Sequence, residues 1–178
     1  MTPDELKSRF PALDAVDGEA LELLLRTTAE ICPAAGDTII SSGAENDTMY
    51  LICAGSVRVS LDAPDECLIL GDFGPGRWIG EMGMIQPAPA VAGVVALEDC
   101  ILLTLSHDEF TELRRASPSL TSVLLQMLCR DLSARLYTTV GFIDSNNAAD
   151  ETGAAIISAK NLVEIAKNLL GIAARTGA

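Results

Sequence analysis

A glycine-rich run occupies residues 72–85, where the chain reads Asp72-Phe73-Gly74-Pro75-Gly76-Arg77-Trp78-Ile79-Gly80-Glu81-Met82-Gly83-Met84-Ile85. Glycine adopts positive φ readily and lets two backbone segments approach closely, so glycines at this spacing indicate tight corners between short elements. Further glycines at positions 36, 43, 55 and 71 separate the apolar runs upstream. Together these corners predict a compact antiparallel barrel or jelly roll.

Short apolar runs alternate with turn residues on both sides of this segment, between residues 29 and 105. In one of them Val57, Val59 and Leu61 alternate with polar neighbours, which is the period expected of a strand with one buried face. We predict about seven or eight strands in an antiparallel β-roll of the jelly-roll, cupin-like kind over residues 29–105. The expected runs are 37–40, 49–53, 56–61, 67–70, 91–96 and 100–105.

Helices are predicted on both sides of the β-roll. Thr2 and Glu5, and again Ser106 and Glu109, have the spacing of a capping box at a helix start. A proline at position 118 suits the first position of a longer helix. The predicted helices cover residues 2–10, 17–27, 106–115 and 118–140.

The chain is expected to form one domain over residues 1–140, followed by two smaller segments. Residues 141–154 are polar and aperiodic, which indicates a linker. Residues 155–178 carry an apolar stripe at helical spacing, which predicts a final amphipathic helix. The 38 residues after Val140 are too few and too poor in cations for a helix-turn-helix with a basic recognition face.

The segment 72–85 resembles the entry of the phosphate-binding cassette in the cyclic-nucleotide-binding domain family, which includes catabolite activators and cyclic-nucleotide-regulated kinases. Residues 36–40, 47–52 and 55–59 are similar to the early strands and glycine corners of that family, and residues 99–105 with Phe110 are similar to its last strand and closing helix. The resemblance covers residues 16–140. It implies a regulatory β-roll with flanking helices, without the DNA-binding domain of the activators.

The resemblance also implies where a ligand would bind. In the family a short helix after a Gly-Glu pair faces the cyclic phosphate, and the glutamate accepts a hydrogen bond from the ribose. Here that pair is Gly80 and Glu81, and a purely structural role for Glu81, bracing the cassette helix, is an equal alternative. The candidate cassette residues are Gly80, Glu81, Met82, Ala90, Val91, Ala92 and Gly93.

The chain departs from the family pattern at the phosphate. Aligned without gaps from Gly80, the arginine position of the family falls on Ala90 and its hydroxyl position on Gly93. No lysine or arginine occurs between Arg77 and Arg114, so a small shift of the alignment does not restore the contact. The sequence therefore argues against high-affinity binding of a cyclic nucleotide, and no other cofactor is expected.

Composition excludes several classes of function. With 12 Lys and Arg against 25 Asp and Glu, the net charge is -13, which disfavours nucleic acid and anionic membranes. Five scattered cysteines without a CxxC pair fit a reducing cytoplasm and no metal or disulfide framework. The single histidine, His107, is expected to be a surface residue at a helix start, and no catalytic constellation is recognisable. The chain is therefore not expected to be an enzyme.

The helix from Pro118 carries an apolar stripe that would suit a homodimer or another protein partner. Its candidate dimer residues are Leu125, Leu128, Leu132 and Leu136. Two functions follow from these observations: a stand-alone regulatory module with an altered cassette that acts through protein contacts, or a sensor that still binds a cyclic nucleotide or another small ligand in the same pocket.

Overall fold

The fold comes from a computed structural model, which describes residues 1–63 and 66–147. The chain divides into two compact units, Met1–Leu125 and Gln126–Ala178. The first unit contains all the described β-strands. The second begins inside the long helix that starts at Pro118.

Two helices precede the sheets. Helix α1, Pro3–Arg9, starts with the predicted capping box, in which the Thr2 hydroxyl accepts from Glu5 N and the Glu5 carboxylate accepts from Thr2 N. A 3₁₀ turn at Pro11–Leu13 leads to helix α2, Gly18–Thr27, which Asp17 caps by accepting from Ala20 N. Leu6, Leu13, Leu21 and Leu24 are buried, so the apolar faces of these elements lie in the core.

Ten strands are present in the described residues, more than the seven or eight predicted. The additional elements are very short, because residues 45–46, 78–79 and 88–89 form strands of two residues each. Such short pairs carry no periodic signal. The strands are β1 Ala29–Ile31, β2 Thr38–Ile40, β3 Glu45–Asn46, β4 Thr48–Ala54, β5 Val57–Ala63, β6 Glu66–Phe73, β7 Trp78–Ile79, β8 Ala88–Pro89, β9 Gly93–Ala96 and β10 Ile101–Ser106.

The strands form two four-stranded sheets and one two-stranded sheet, all with antiparallel pairing. The sheet orders are β1-β10-β4-β7, β2-β9-β5-β6 and β3-β8. Buried aliphatic side chains from both larger sheets form one cluster that includes Ile40, Ile52, Val57, Ile79 and Leu102. This arrangement confirms the predicted antiparallel β-roll with flanking helices.

Three α-helices follow strand β7. Helix α3 is Glu81–Ile85, helix α4 is His107–Ala116, and helix α5 is Pro118–Asn147. The predicted capping box at Ser106 and Glu109 is present at the start of α4. No helix within the described part of the chain is long and apolar enough to cross a membrane.

The predicted linker start is wrong, because α5 continues through Asn147 instead of ending near residue 140. Residues 141–147 contain the apolar Phe142 and Ile143 and no proline, and their single glycine costs a helix only about 1 kcal/mol. Polar composition was therefore a poor indicator of a loop here. The remainder of the predicted linker and the predicted helix 155–178 lie outside the described residues.

Candidate functional site

The cassette begins at Gly80, which has a left-handed backbone with φ of 74° and forms the N-cap of α3. A Cβ at this position would lie 2.5 Å from the carbonyl oxygen of Thr48. Both the backbone conformation and the lack of space therefore require glycine. The tight corner predicted before the cassette helix is therefore present at Gly80.

Helix α3 packs tightly against the segment that contains β3. The amide of Asn46 donates to Thr48 O at 2.9 Å and to Gly80 O at 3.4 Å. A Cβ on Gly83 would come within 2.5 Å of the carbonyl oxygen of Asn46. Asn46 and Gly83 therefore fix the position of α3, a role that the sequence analysis did not assign to them. The only signal in the sequence was a glycine at position 83, inside the predicted cassette helix. Its partner Asn46, 37 positions earlier, carried no signal.

Glu81 occupies the first position of α3 and is 5% exposed. A carboxylate in the first turn of a helix is electrostatically favourable, which fits the bracing role considered for this residue. The next residue, Met82, is 38% exposed, whereas Met84 is fully buried. The cassette helix thus buries its acidic first residue and exposes an apolar one.

The second half of the candidate cassette, residues 90–93, connects β8 to β9. Ala90 is half-buried and packs against the core cluster, and its backbone is fixed on both sides by bonds of 2.8 Å, from Gly43 N to Ala90 O and from Ala90 N to Ala44 O. Val91 is 46% exposed, Ala92 is half-buried, and Gly93 is the first residue of β9.

Strand β3 connects the two halves of the cassette. Asn46 pairs with Ala88 in the β3-β8 sheet, and its side chain reaches Gly80 at the start of α3. The residues Gly80–Met82 and the segment that leads into Ala90–Gly93 are therefore both attached to the same short strand. The structure brings the two halves of the predicted cassette to one side of the β-roll.

The two arginines that precede the cassette most closely in the sequence make contacts elsewhere. Arg58 on β5 makes two hydrogen bonds of 2.8 Å to the carboxylate of Asp72 on β6. The hydrogen bonds from Arg58 lower the pKa of Asp72 below its ordinary value. The guanidinium of Arg77 lies 5.7 Å from the ring centroid of Phe73, at the exposed turn between β6 and β7.

His107 is not the plain surface residue that the sequence suggested. It is the first residue of α4 and is half-buried, with its Nδ1 atom 2.8 Å from the carbonyl oxygen of Met84 in α3. Its backbone N–H donates to Asp47 O at 2.8 Å. The described residues contain no group of three or more His, Cys, Asp or Glu side chains that could hold a metal ion.

The aromatic residues near the cassette belong to the packing of the fold. Trp78 is buried and stacks on Phe10, with ring centroids 6.3 Å apart and planes 3° apart. Tyr50 packs against the core cluster, and burial raises the pKa of its hydroxyl.

The candidate dimer residues lie on α5 in different environments. Leu125 is 37% exposed and Leu132 is half-buried, whereas Leu128 is 1% exposed. Leu128 is thus buried in the single chain, and its part in a dimer contact stays a prediction. The side chain of Leu136 lies outside what the structure describes.

Comparison with known proteins identifies the class of the fold. Residues 33–117 match the family model of the cyclic nucleotide-binding domain. A CRP-like cAMP-activated global transcriptional regulator from Mycobacterium tuberculosis is 26% identical over 175 residues, which cover 98% of this chain and 72% of the regulator.

Two solved structures are also similar. The N-terminal domain of a transcriptional regulator from Streptomyces coelicolor superposes with a TM-score of 0.63 at 29% identity, covering 72% of this chain and 93% of that one. The catabolite activator protein of Thermus thermophilus gives a TM-score of 0.65 at 26% identity, covering 76% of this chain and 65% of the activator.

The β-roll, its glycine corner at residue 80 and the short helix behind it define a regulatory domain of the cyclic-nucleotide-binding type. Residues 33–117 form a domain of the cyclic nucleotide-binding family.

Proposed function

We propose that this protein is a non-enzymatic regulatory module whose cassette lacks the arginine of its family and which acts through protein–protein contacts. The observation that carries the proposal is the absence of any lysine or arginine between Arg77 and Arg114. The residue aligned with the family arginine, Ala90, has a short side chain that packs against the core cluster.

The missing contact has a large expected effect on a phosphate ligand. A charge-assisted hydrogen bond contributes about 1.5 to 3 kcal/mol, which corresponds to roughly ten- to a hundredfold in affinity. The net charge of -13 adds a repulsive field for any anion that approaches the domain. Both effects weaken cyclic nucleotide binding, and the same charge argues against nucleic acid as a partner.

The second candidate function is a sensor that binds a cyclic nucleotide or another small ligand in the same pocket. The observation in its favour is the geometry of the first cassette half, because Gly80 has the required left-handed backbone and Glu81 is held at the first position of α3. In this function the cassette would bind with backbone groups and Glu81 alone.

Calorimetric titration with cyclic AMP and cyclic GMP distinguishes the two functions. We expect no measurable heat of binding for the natural sequence and a gain of affinity for Ala90→Arg. The matched control is Val91→Arg, which adds the same charge one residue further on at an exposed side chain. The control should not gain affinity.

Each contrary result has a definite meaning. Binding by the natural sequence at micromolar concentration or better would establish a ligand sensor and refute the interaction module. If neither the natural sequence nor Ala90→Arg binds, Ala90 is not the position of the family arginine. Equal gains for Ala90→Arg and Val91→Arg would show a nonspecific charge effect.

The partner in this proposal is a second copy of the chain or another protein, and the place of action is the cytoplasm. Leu125 and Leu132 are the stripe positions that retain exposed surface. Five scattered cysteines are consistent with a reducing compartment.

A further inference from the structure

The carbonyl groups at the C-terminal end of the cassette helix α3 need hydrogen-bond donors from outside the helix. The last four carbonyl groups of any α-helix lack a donor within the helix, and α3 has only five residues. The carbonyl oxygen of Met84 is one of these groups. It lies 2.8 Å from the Nδ1 atom of His107, a residue 23 positions later in the sequence.

The geometry fixes the direction of this hydrogen bond. A carbonyl oxygen can only accept, so Nδ1 of His107 must carry the proton and donate it to Met84 O. Neutral His107 is therefore required in the Nδ1–H form, with Nε2 unprotonated.

His107 is itself held firmly. Its backbone N–H is one of the free donors at the start of α4, and it donates to Asp47 O at 2.8 Å. The residue before it, Ser106, forms the capping box with Glu109. The imidazole is thus presented to α3 from a rigid helix start.

The opposite end of α3 is held by a different side chain. Asn46 donates to Gly80 O at 3.4 Å, and the backbone of Asn46 leaves no room for a side chain on Gly83. We propose that His107 is a positioning residue that, together with Asn46, fixes the cassette helix against the β-roll. Any movement of α3 away from α4 has to break the hydrogen bond between His107 and Met84.

The test uses two variants that differ only in where they place an amide donor. In His107→Asn the side-chain nitrogen stands near the position of Nδ1, whereas in His107→Gln it stands near the position of Nε2. Hydrogen exchange of the Met84 and Gln86 amides reports on α3, because both bond within the helix region, to Gly80 O and Met82 O. We expect roughly two- to tenfold faster exchange in His107→Gln and near-normal exchange in His107→Asn.

The tautomer provides a second readout on the unaltered protein. Because His107 is the only histidine, its imidazole ¹⁵N resonances are unambiguous. In the neutral imidazole we expect a protonated-type shift at Nδ1 and an unprotonated-type shift at Nε2. A predominant Nε2–H form overturns the proposal.

The strand amides of the β4-β10 pair serve as the internal reference for exchange. Unchanged exchange there, with acceleration only in α3, supports positioning of the cassette helix. Equal acceleration in β4, β10 and α3 means that His107 contributes only to global stability, and this result overturns the proposal. Equal exchange at Met84 in the Asn and Gln variants overturns it as well.

Discussion

Alanine substitutions at Gly80 and Gly43 separate two costs at the cassette corner: the cost of a positive φ and the cost of a steric clash with the added Cβ. Their φ angles are nearly equal, 74° and 75°. A Cβ on Gly43 meets nothing within 4 Å, whereas one on Gly80 lies 2.5 Å from Thr48 O and 3.1 Å from Cδ1 of Ile40. Alanine at either position carries the same backbone penalty, and only Gly80→Ala adds a collision.

The expected magnitudes follow from these surroundings. A non-glycine residue in the left-handed region costs about 1 to 2 kcal/mol, so Gly43→Ala should lower the free energy of unfolding by that amount. Overpacking adds about 1 to 3 kcal/mol, because the atom that must yield at Gly80 is a backbone oxygen. Gly80→Ala should therefore cost about 2 to 5 kcal/mol in total.

Urea unfolding of the full chain, followed by circular dichroism, measures both values. The quantity that tests the reasoning is the difference between the two variants, expected at about 1 to 3 kcal/mol. Equal destabilisation by the two substitutions would refute the close approach of Gly80 to Thr48. A larger loss in Gly43→Ala would refute it too.

Two further predictions concern thiol reactivity and association. The exposed cysteines, Cys32, Cys67 and Cys129, should react with iodoacetamide in the folded protein. The buried cysteines, Cys53 and Cys100, should react only on unfolding. Burial raises the pKa of Cys53 from 9.0 to about 11, so its neutral thiol favours the fold below pH 9 and this contribution is lost as the pH rises toward 11. Labelling of Cys53 should accelerate over that range, and constant protection would contradict it. Sedimentation equilibrium at tens of micromolar protein should give the mass of a dimer, and a monomer mass would count against homodimerisation through α5.

Features set by neighbouring residues could be predicted from the sequence. The capping boxes at Thr2 and Ser106 depend on side chains only three positions apart, and both are present. The corner at Gly80 was recognisable because a glycine stands between an apolar pair and a short helix. These features arise from local backbone chemistry, which leaves a direct mark on the sequence.

Features set by distant residues could not be predicted. Asn46 reaches Gly80 across 34 positions, and a single amide that bonds to backbone carbonyls has no periodicity to reveal it. The contact between His107 and Met84 is of the same kind, since only the fold brings α4 beside α3. For Leu128, spacing identified an apolar stripe on α5 but did not indicate that the residue is covered within its own chain.

The stacking of Trp78 on Phe10 gives the protein an intrinsic optical reporter. Trp78 is the only tryptophan of the chain, and Phe10 directly follows α1. Indole emission therefore responds to the departure of the N-terminal helix from the β-roll, and Trp78 stands two residues before Gly80. A red shift of the emission that precedes the loss of β-structure would identify detachment of this helix as a separate step in unfolding.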